Sequence, residues 1–164
     1  EGVDVVIVNP GVILGSGFWS SGSGTMFSQV YKGFPFYSEG ITGFVGVKDV
    51  IHCMVGLMES TCKNERFILV SENKSFKEVL FSIADAFGKK RPSRSVQPWQ
   101  ASMFWRWEWL VSKIMSRKTR MSKYTAKTLH SKTYYSSDKI KKLGINKFES
   151  IEEVITSVSD DFLV

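Results

Sequence analysis

Apolar and polar residues alternate with several different periods along the chain, and each period predicts a secondary-structure element. Residues 3–8 form a nearly continuous β-branched run, which is typical of a strand buried on both faces of a parallel sheet. Shorter apolar runs at 43–47 and 66–70 predict two more strands. Apolar residues at helical spacing predict helices at 26–32, 50–59, 76–87, 99–115, 123–130, 139–143 and 151–158. Strands that alternate with helices indicate an α/β fold that becomes mostly helical towards the carboxyl terminus.

The first predicted strand runs into Asn9-Pro10-Gly11 and then into a loop rich in glycine and serine. Pro10 is expected to end the strand ladder, which would leave the N–H groups of Gly11 and Val12 free for a ligand. Thr25 is expected to cap the helix at 26–32, where the helix dipole favours phosphate. The carboxyl end of a strand followed by such a loop is where α/β proteins bind nucleotides, although a surface turn fits the same pattern.

Two familiar nucleotide-binding loops are excluded. No Gly-Lys-Ser/Thr follows the glycines, so the loop is not a P-loop. Gly15 and Gly17 would need a third glycine at position 20 for a Rossmann fingerprint, and Ser20 stands there. The loop is therefore not a complete nucleotide site by itself.

Charge divides the chain unevenly. The net charge is +6 over 164 residues, and residues 89–147 carry sixteen basic against two acidic side chains. Within this block, residues 99–120 interleave aromatic and apolar residues with arginine and lysine. Three interpretations stay open: a packed helix of a substrate-binding subdomain, a membrane-interface segment, or a nucleic-acid contact. Apolar residues nearly encircle the predicted helix, which favours burial.

Reactive side chains are few. Cys53 and Cys62 form no CxxC pair and have no histidines at metal-ligand spacing, so they indicate idle thiols in a reducing cytoplasm and no metal site. The two histidines, His52 and His130, belong to no Ser-His-Asp or Cys-His arrangement. Asp49 is interpreted as the cap of the helix at 50–59 and not as a catalytic acid.

Several stretches, taken in order, resemble the extended short-chain dehydrogenase/reductases, the superfamily of NAD-dependent epimerases and dehydratases. The string NPGVILG at 9–15 resembles the segment that follows the catalytic helix of that family. GFVGVKDV at 43–50, ERFIL at 65–69 and SFKEV at 75–79 are similar to its next elements, and YSSDKIKKLG at 135–144 is similar to its closing motif. The likeness is nearest to the dihydroflavonol-reductase-like branch.

The resemblance implies the carboxyl-terminal part of a Rossmann-type parallel sheet plus a mostly helical substrate-binding subdomain. Residues 1–88 would hold the last strands and helices of the NAD(P)-binding domain, and residues 89–164 the basic, Trp-rich subdomain. The glycine-rich cofactor motif and the catalytic Tyr-xxx-Lys helix would lie in an amino-terminal half that this chain lacks. NAD or NADP would be bound mainly by that half, and this chain would supply no catalytic residue.

The resemblance also assigns residues to the site. The backbone of Pro10, Gly11 and Val12 would contact the nicotinamide, and Thr25 would lie near the cofactor pyrophosphate. The substrate side would be formed by three residues of the loop and the helix after it: Phe18, Trp19 and Met26.

Tyr135 and Lys139 match the Y-x-x-x-K spacing of the family's catalytic pair. Catalysis needs both side chains on one helix, with the ammonium lowering the pKa of the phenol. Ser137 and Asp138 are helix-capping residue types, which predicts that Tyr135 lies outside the helix that carries Lys139. The match is therefore interpreted as fortuitous.

Two function hypotheses follow. The first is the carboxyl-terminal half of a cytoplasmic NAD(P)-dependent oxidoreductase or epimerase that moves a hydride at a carbonyl or alcohol carbon of a small molecule. The parent would be an enzyme, with homodimerisation left open and no nucleic-acid partner, and this chain alone is predicted to be inactive. The second is a non-enzymatic basic and aromatic module that binds a membrane surface or acidic partners through 99–120.

Overall fold

Parallel strand pairs with helices between them form the framework of the structure, a computed structural model that describes residues 2–97, 130–145 and 147–164. The elements of these ranges, in chain order, are β1 (Val6–Pro10), β2 (Val12–Leu14), α1 (Gly24–Tyr31), β3 (Phe36–Tyr37), β4 (Ile41–Gly46), α2 (Val47–Glu59), β5 (Glu65–Leu69), β6 (Glu72–Ser75), α3 (Phe76–Ala86), β7 (Arg94–Ser95), α4 (Asp138–Lys141) and α5 (Ile151–Leu163). The predicted α/β class is confirmed.

The strands of residues 2–97, 130–145 and 147–164 pair in three small sheets. β1 pairs with β5 in parallel, from Val6 opposite Glu65 to Pro10 opposite Leu69. β4 lies between β2, its parallel neighbour, and β6, its antiparallel neighbour. β3 and β7 form a short parallel pair. The chain therefore leaves one sheet and enters the next at Gly11, the single residue between β1 and β2.

The first strand differs from its prediction. It begins at Val6, three residues later than expected, and only one of its faces is covered by the described residues. Val6 and Val8 pack against a core cluster, whereas Val5 and Ile7 are 48% and 43% exposed. The expectation of burial on both faces is wrong, because a continuous β-branched run does not report which faces other elements cover.

Pro10 does not end the strand ladder. It pairs with Leu69, and the N–H of Gly11 donates to the Leu69 carbonyl oxygen at 3.0 Å. Alternate residues of a parallel strand bond to the same neighbour, so the missing N–H of Pro10 falls on the side away from β5. The expectation that Gly11 has a free N–H is therefore wrong.

Helix α1 begins earlier than the capping pattern predicted. Thr25 is its second residue and Ser23 occupies the N-cap position, without a capping side chain. The Thr25 hydroxyl donates to the Gly22 carbonyl at 2.7 Å, and the Ser23 hydroxyl donates to the Ile13 carbonyl at 2.5 Å. Gly33 follows the helix with φ +78°, which fits its predicted role as the stop.

Asp49 lies in the first turn of α2 and not at its cap, because the helix begins at Val47 with Gly46 as N-cap. Its buried carboxylate accepts the N–H of Gly46 and, at 3.3 Å, the N–H of Glu149. Burial raises the pKa of Asp49, and the two backbone donors oppose that rise. The residue thus ties the start of α2 to the segment before α5.

Two apolar clusters form the core of the described part of the chain. The first lies between β2, β4 and the helices α1, α3 and α5, and its fully buried members include Leu14, Phe27, Phe44, Ile83 and Ile151. The second joins α2 to β1, β5 and α4 through Cys53, Leu57, Phe67, Leu69 and Ile140. Val45 of β4 belongs to the second cluster and Phe44 to the first, so β4 separates them.

The chain near residue 137 is held against the strand ends by long-range hydrogen bonds. The buried Ser137 hydroxyl accepts the N–H of Val70 and donates to the carbonyl of Val70, both at 2.7 Å. Asn73 and the backbone of Tyr135 exchange a second reciprocal pair, at 2.8 and 2.9 Å. Helix α4 follows directly, with Ser137 at its N-cap position.

Some predictions lie outside the described residues. These include the predicted helix at 99–115, nearly all of that at 123–130, and the membrane interpretation of 99–120. The division at residues 88 and 89 stays a prediction. Among the described residues, no helix has the length and apolarity needed to cross a bilayer.

Replacing Ser137 with alanine should lower the free energy of unfolding by about 2–4 kcal/mol, because it leaves the N–H and C=O of Val70 without their side-chain partner. Urea denaturation followed by circular dichroism measures this. Ser136→Ala is the matched control, since the exposed Ser136 hydroxyl accepts only the nearby N–H of Asp138 at 3.1 Å. Equal losses in the two variants would contradict the role given to Ser137.

Candidate functional site

The predicted nicotinamide contact occupies the step between the first two sheets. Pro10 ends β1, Val12 begins β2 opposite Phe44, and Gly11 lies between them. A Cβ added at Gly11 would stand 2.3 Å from the carbonyl oxygen of Gly43, so only glycine fits there. The step is therefore a rigid backbone edge, held by Leu69 on one side and Gly43 on the other.

The glycine-rich loop is tied down at both ends. Besides the bond from Ser23 to Ile13, the Ser28 hydroxyl of α1 donates to the carbonyl of Trp19 at 2.9 Å. A Cβ at Gly24 would lie 2.1 Å from the carbonyl oxygen of Phe18, so the loop packs closely on the helix start. Gly17 and Gly22 have positive φ and no atom within 4 Å of an added Cβ, so both border open space.

Thr25, the predicted pyrophosphate contact, lies at the amino end of α1 and is half-buried. Its N–H bonds to the Gly22 carbonyl at 3.4 Å and its hydroxyl bonds to the same oxygen. The hydroxyl oxygen can still accept a hydrogen bond. The first turn of α1 contains no acidic residue, so nothing in that turn opposes an anion at the positive end of the helix dipole.

The three predicted substrate residues differ in their surroundings. Phe18 is 78% exposed, whereas Trp19 and Met26 pack against the first core cluster. The ring of Trp19 meets Phe162 of α5 at 4.7 Å and Phe27 of α1 at 6.2 Å, both edge to face. Trp19 thus anchors the loop to the carboxyl-terminal helix, and Phe18 is the aromatic residue of the loop that projects outward.

The two residues of the Y-x-x-x-K match at 135–139 do not lie on one helix. Tyr135 lies before α4, as predicted, and the helix begins at Asp138. The Lys139 ammonium pairs with the Glu65 carboxylate and donates to the Arg66 carbonyl at 3.0 Å. The hydrogen bond from Lys139 lowers the pKa of Glu65. Lys139 therefore secures α4 to β5.

The remaining candidate groups are the two cysteines and the side chains that could bind a metal. Cys53 is buried, and burial raises the pKa of its thiol to about 11, which leaves it protonated at neutral pH. Cys62 is half-buried, and both cysteines are free thiols. Within the ranges 2–97, 130–145 and 147–164, no three His, Cys, Asp or Glu side chains come together as a metal site.

The sequence analysis did not identify three residues that shape the site through contacts with other parts of the chain. Gly43 limits the space at Gly11, while Ser23 and Ser28 fix the loop. From sequence alone, Ser23 is one more serine of a loop rich in glycine and serine. Only the fold shows that its hydroxyl reaches Ile13 of β2. Gly43, at the start of the GFVGV stretch, offered a weak signal, since glycine inside a strand often marks a close backbone approach.

Comparisons with known proteins identify the fold. Neither a family model nor a curated protein sequence matches the chain. A nucleoside-diphosphate-sugar epimerase from Pseudomonas aeruginosa superposes with a TM-score of 0.76 at 18% identity, over 99% of this chain and 49% of that one. UDP-glucose 4-epimerase from Thermus thermophilus, in complex with NAD, gives a TM-score of 0.65 at 16% identity, over 96% and 46%.

A third structure is similar to the same extent. UDP-glucuronic acid 4-epimerase from Bacillus cereus, in complex with UDP-glucuronic acid and NAD, gives a TM-score of 0.66 at 12% identity, over 96% of this chain and 45% of that one. The chain thus has the Rossmann-type α/β fold of these epimerases and spans about half of their length.

Gly11→Ala should destabilise the protein by about 1–3 kcal/mol, because the new methyl group overlaps the Gly43 carbonyl and forces the two sheets apart. Thermal and urea unfolding measure the loss. Gly2→Ala is the control, since a Cβ at Gly2 meets nothing within 4 Å. Unchanged stability of Gly11→Ala would show that the close approach does not constrain the step.

Proposed function

We propose that this chain is the carboxyl-terminal, substrate-side half of an NAD(P)-dependent oxidoreductase or epimerase/dehydratase of the extended short-chain dehydrogenase/reductase type. The observation that carries the proposal is the rigid step Pro10-Gly11-Val12 at the carboxyl end of a parallel strand, within a fold shared with NAD-bound epimerases. Since the chain spans about half of those proteins, the rest of the site is assigned to the other half.

The residues present suit a dinucleotide. The step offers a flat backbone edge without a side chain at Gly11, against which a planar ring can rest. Beyond it, Gly17 and Gly22 border open space, and the amino end of α1 with the Thr25 hydroxyl suits a phosphate. Bound NAD(P) would supply hydride transfer at a carbonyl or alcohol carbon.

This chain contributes positioning and not proton transfer. Its Tyr135 and Lys139 are separated by the start of α4, and Lys139 is engaged with Glu65 and Arg66. The general acid/base is therefore assigned to the amino-terminal half of the parent enzyme. The loop with Phe18 at its surface would face the substrate, while Trp19 and Met26 would hold that loop in place.

Two substrate classes follow from different observations. The solved neighbours named as epimerases of UDP-glucose and UDP-glucuronic acid support a sugar nucleotide. The exposed ring of Phe18 and the resemblance to the dihydroflavonol-reductase-like branch support an aromatic ketone. The parent enzyme tested with UDP-glucose, UDP-glucuronic acid and a dihydroflavonol would separate the classes, because an epimerase interconverts sugars without net NAD(P)H consumption.

The purified 164-residue chain should not turn over NADH or NADPH with any of these three substrates, because the proton-transfer pair and the phosphate-gripping glycines are assigned to the other half. Absorbance at the nicotinamide band and chromatography of the sugars provide the measurement. The positive control is the longer protein that carries both halves. Turnover by the purified chain alone would refute its assignment as an inactive half.

Thr25→Val in the longer protein should weaken NAD(P)H binding about fivefold, the equivalent of one hydrogen bond of roughly 1 kcal/mol. Fluorescence titration with the reduced cofactor measures the dissociation constant. Thr156→Val is the matched control, because the Thr156 hydroxyl of α5 also donates to a nearby backbone carbonyl, that of Glu152, at 2.9 Å. Equal cofactor affinity in both variants would remove Thr25 from the cofactor site.

A further inference from the structure

Two segments that are distant in sequence form one surface at the β3–β7 pair. Residues 31–37 run from the end of α1 through β3, and residues 89–97 follow α3 and contain β7. The two strands pair in parallel. The carbonyl of Pro35 also accepts the N–H groups of Ser93 at 3.0 Å and of Arg94 at 2.8 Å. We call the surface of these two segments the basic aromatic surface.

The charges of this surface have one sign. Its two segments contain no acidic side chain and five basic ones, all at exposed residues: Lys32, Lys89, Lys90, Arg91 and Arg94. Within residues 2–97, 130–145 and 147–164, Arg91 is the one of these five that pairs with a carboxylate, that of Asp85 at 2.7 Å. The other four cations keep their charge without an ion pair in these ranges. Such a surface attracts an anionic partner.

Aromatic rings are exposed beside these cations. Tyr31, Phe34 and Phe36 are 40%, 45% and 37% exposed. The Lys89 ammonium lies 4.8 Å from the centre of the Tyr31 ring, and the Arg94 guanidinium lies 5.9 Å from the centre of the Phe36 ring. Both distances are those of cation–π interactions. The surface thus presents apolar rings and charged groups side by side.

Exposed rings among basic side chains suit two kinds of anionic partner, a phospholipid bilayer and a single-stranded nucleic acid. A nucleic acid needs flat ring faces on which its bases can stack. The rings of Phe34 and Phe36 instead lean against each other, with centres 5.4 Å apart and 58° between their planes, and Arg94 lies over Phe36. A bilayer needs only rings that reach the acyl boundary and cations that reach the headgroups. The arrangement therefore favours a bilayer.

We propose that the basic aromatic surface binds the surface of a membrane that contains anionic phospholipid. Its lysines and Arg94 would contact the headgroups, and Phe34 and Phe36 would reach the acyl boundary. This is peripheral attachment, for which no membrane-spanning helix is needed. It does not rest on the proposed function, because no cofactor and no reacting group takes part. Residues 99–120 follow closely in sequence and continue the mixture of aromatic and basic residues.

Sedimentation of the 164-residue chain with vesicles tests the charges of this surface. The chain should bind vesicles of phosphatidylcholine mixed with phosphatidylserine and not vesicles of phosphatidylcholine alone. Lys89→Glu with Lys90→Glu should lower the partition coefficient at least about tenfold, because lysines near an anionic bilayer contribute strongly to binding. Circular dichroism verifies that each variant folds.

Lys141→Glu with Lys142→Glu is the matched control. These are also two adjacent exposed lysines, and the Lys141 ammonium lies 5.9 Å from the centre of the Phe148 ring, as Lys89 lies over Tyr31. Helix α4, which carries Lys141, packs against β5 and not against β3 or β7. Because charges act over only about 8 Å at physiological salt, the control should change the partition coefficient less than about twofold.

A second pair of variants tests the rings. Phe34→Ser with Phe36→Ser should also lower the partition coefficient at least about tenfold, and the dependence of binding on salt should stay the same, because apolar burial releases no counter-ions. Ile51→Ser with Met58→Ser is the control, since both native side chains are exposed apolar residues of α2, at 57% and 83%. This control should bind like the unaltered chain.

Four other outcomes would overturn the membrane surface. The first is that the unaltered chain does not bind phosphatidylserine vesicles, and the second is that it binds a single-stranded oligonucleotide and no vesicle. The third is an equal loss in the two lysine variants, which would reflect total charge only. The fourth is full binding by Lys89→Glu with Lys90→Glu or by Phe34→Ser with Phe36→Ser, which would assign membrane binding to another part of the chain.

Discussion

The close approach of two glycine backbones, Gly11 and Gly43, is the constraint on which the rest of the structure depends. A Cβ on Gly11 would overlap the Gly43 carbonyl, and a Cβ on Gly43 would stand 2.4 Å from a methyl group of Val70. The backbone of Val70 is in turn held by the Ser137 hydroxyl. Four segments distant in sequence therefore meet in one stack, and the stack joins the β1–β5 sheet to the β2–β4–β6 sheet.

The same stack explains why the candidate site is rigid without being complete. The step from Pro10 to Val12 is fixed by Leu69 and Gly43, and the loop after it is fixed by Ser23, Ser28 and the ring of Trp19. These contacts shape the surface that we propose binds a dinucleotide. In the part of the chain that the structure describes, Lys139, Asp49 and Cys53 are each engaged in contacts that hold the fold together, so we propose that none of the three acts as an acid, base or nucleophile. A preorganised wall and the reacting groups are thus separate parts of the proposed enzyme.

The carboxyl-terminal segment works as a clamp across both cores. Ser137 bonds to Val70, just after β5, and Tyr135 bonds to Asn73 of β6. The N–H of Glu149 bonds to Asp49 of α2, and α5 then packs Ile151 and Ile155 into the first cluster. Capping boxes at Ser75/Glu78 and Ser150/Glu153 set where α3 and α5 begin. In both boxes the hydrogen bond from the serine lowers the pKa of the glutamate, so each cap is strongest with its carboxylate ionised.

The local pattern of apolar and capping residues was by itself enough to predict most of the helices and strands. The helical periods at 50–59, 76–87 and 151–158 and the strands at 43–47 and 66–70 appear within a few residues of their predicted bounds, and Tyr135 lies outside its helix as the capping residues indicated. Such features depend on neighbours a few residues away. The fold alone decided that Pro10 stays in the ladder, that Asp49 bonds to Glu149, that Trp19 packs inward and that Ile7 faces outward. Each of these features depends on a partner tens of residues away in sequence or on the lack of an element packed over the residue. The spacing of apolar residues indicates that a residue can be buried, but not which element buries it.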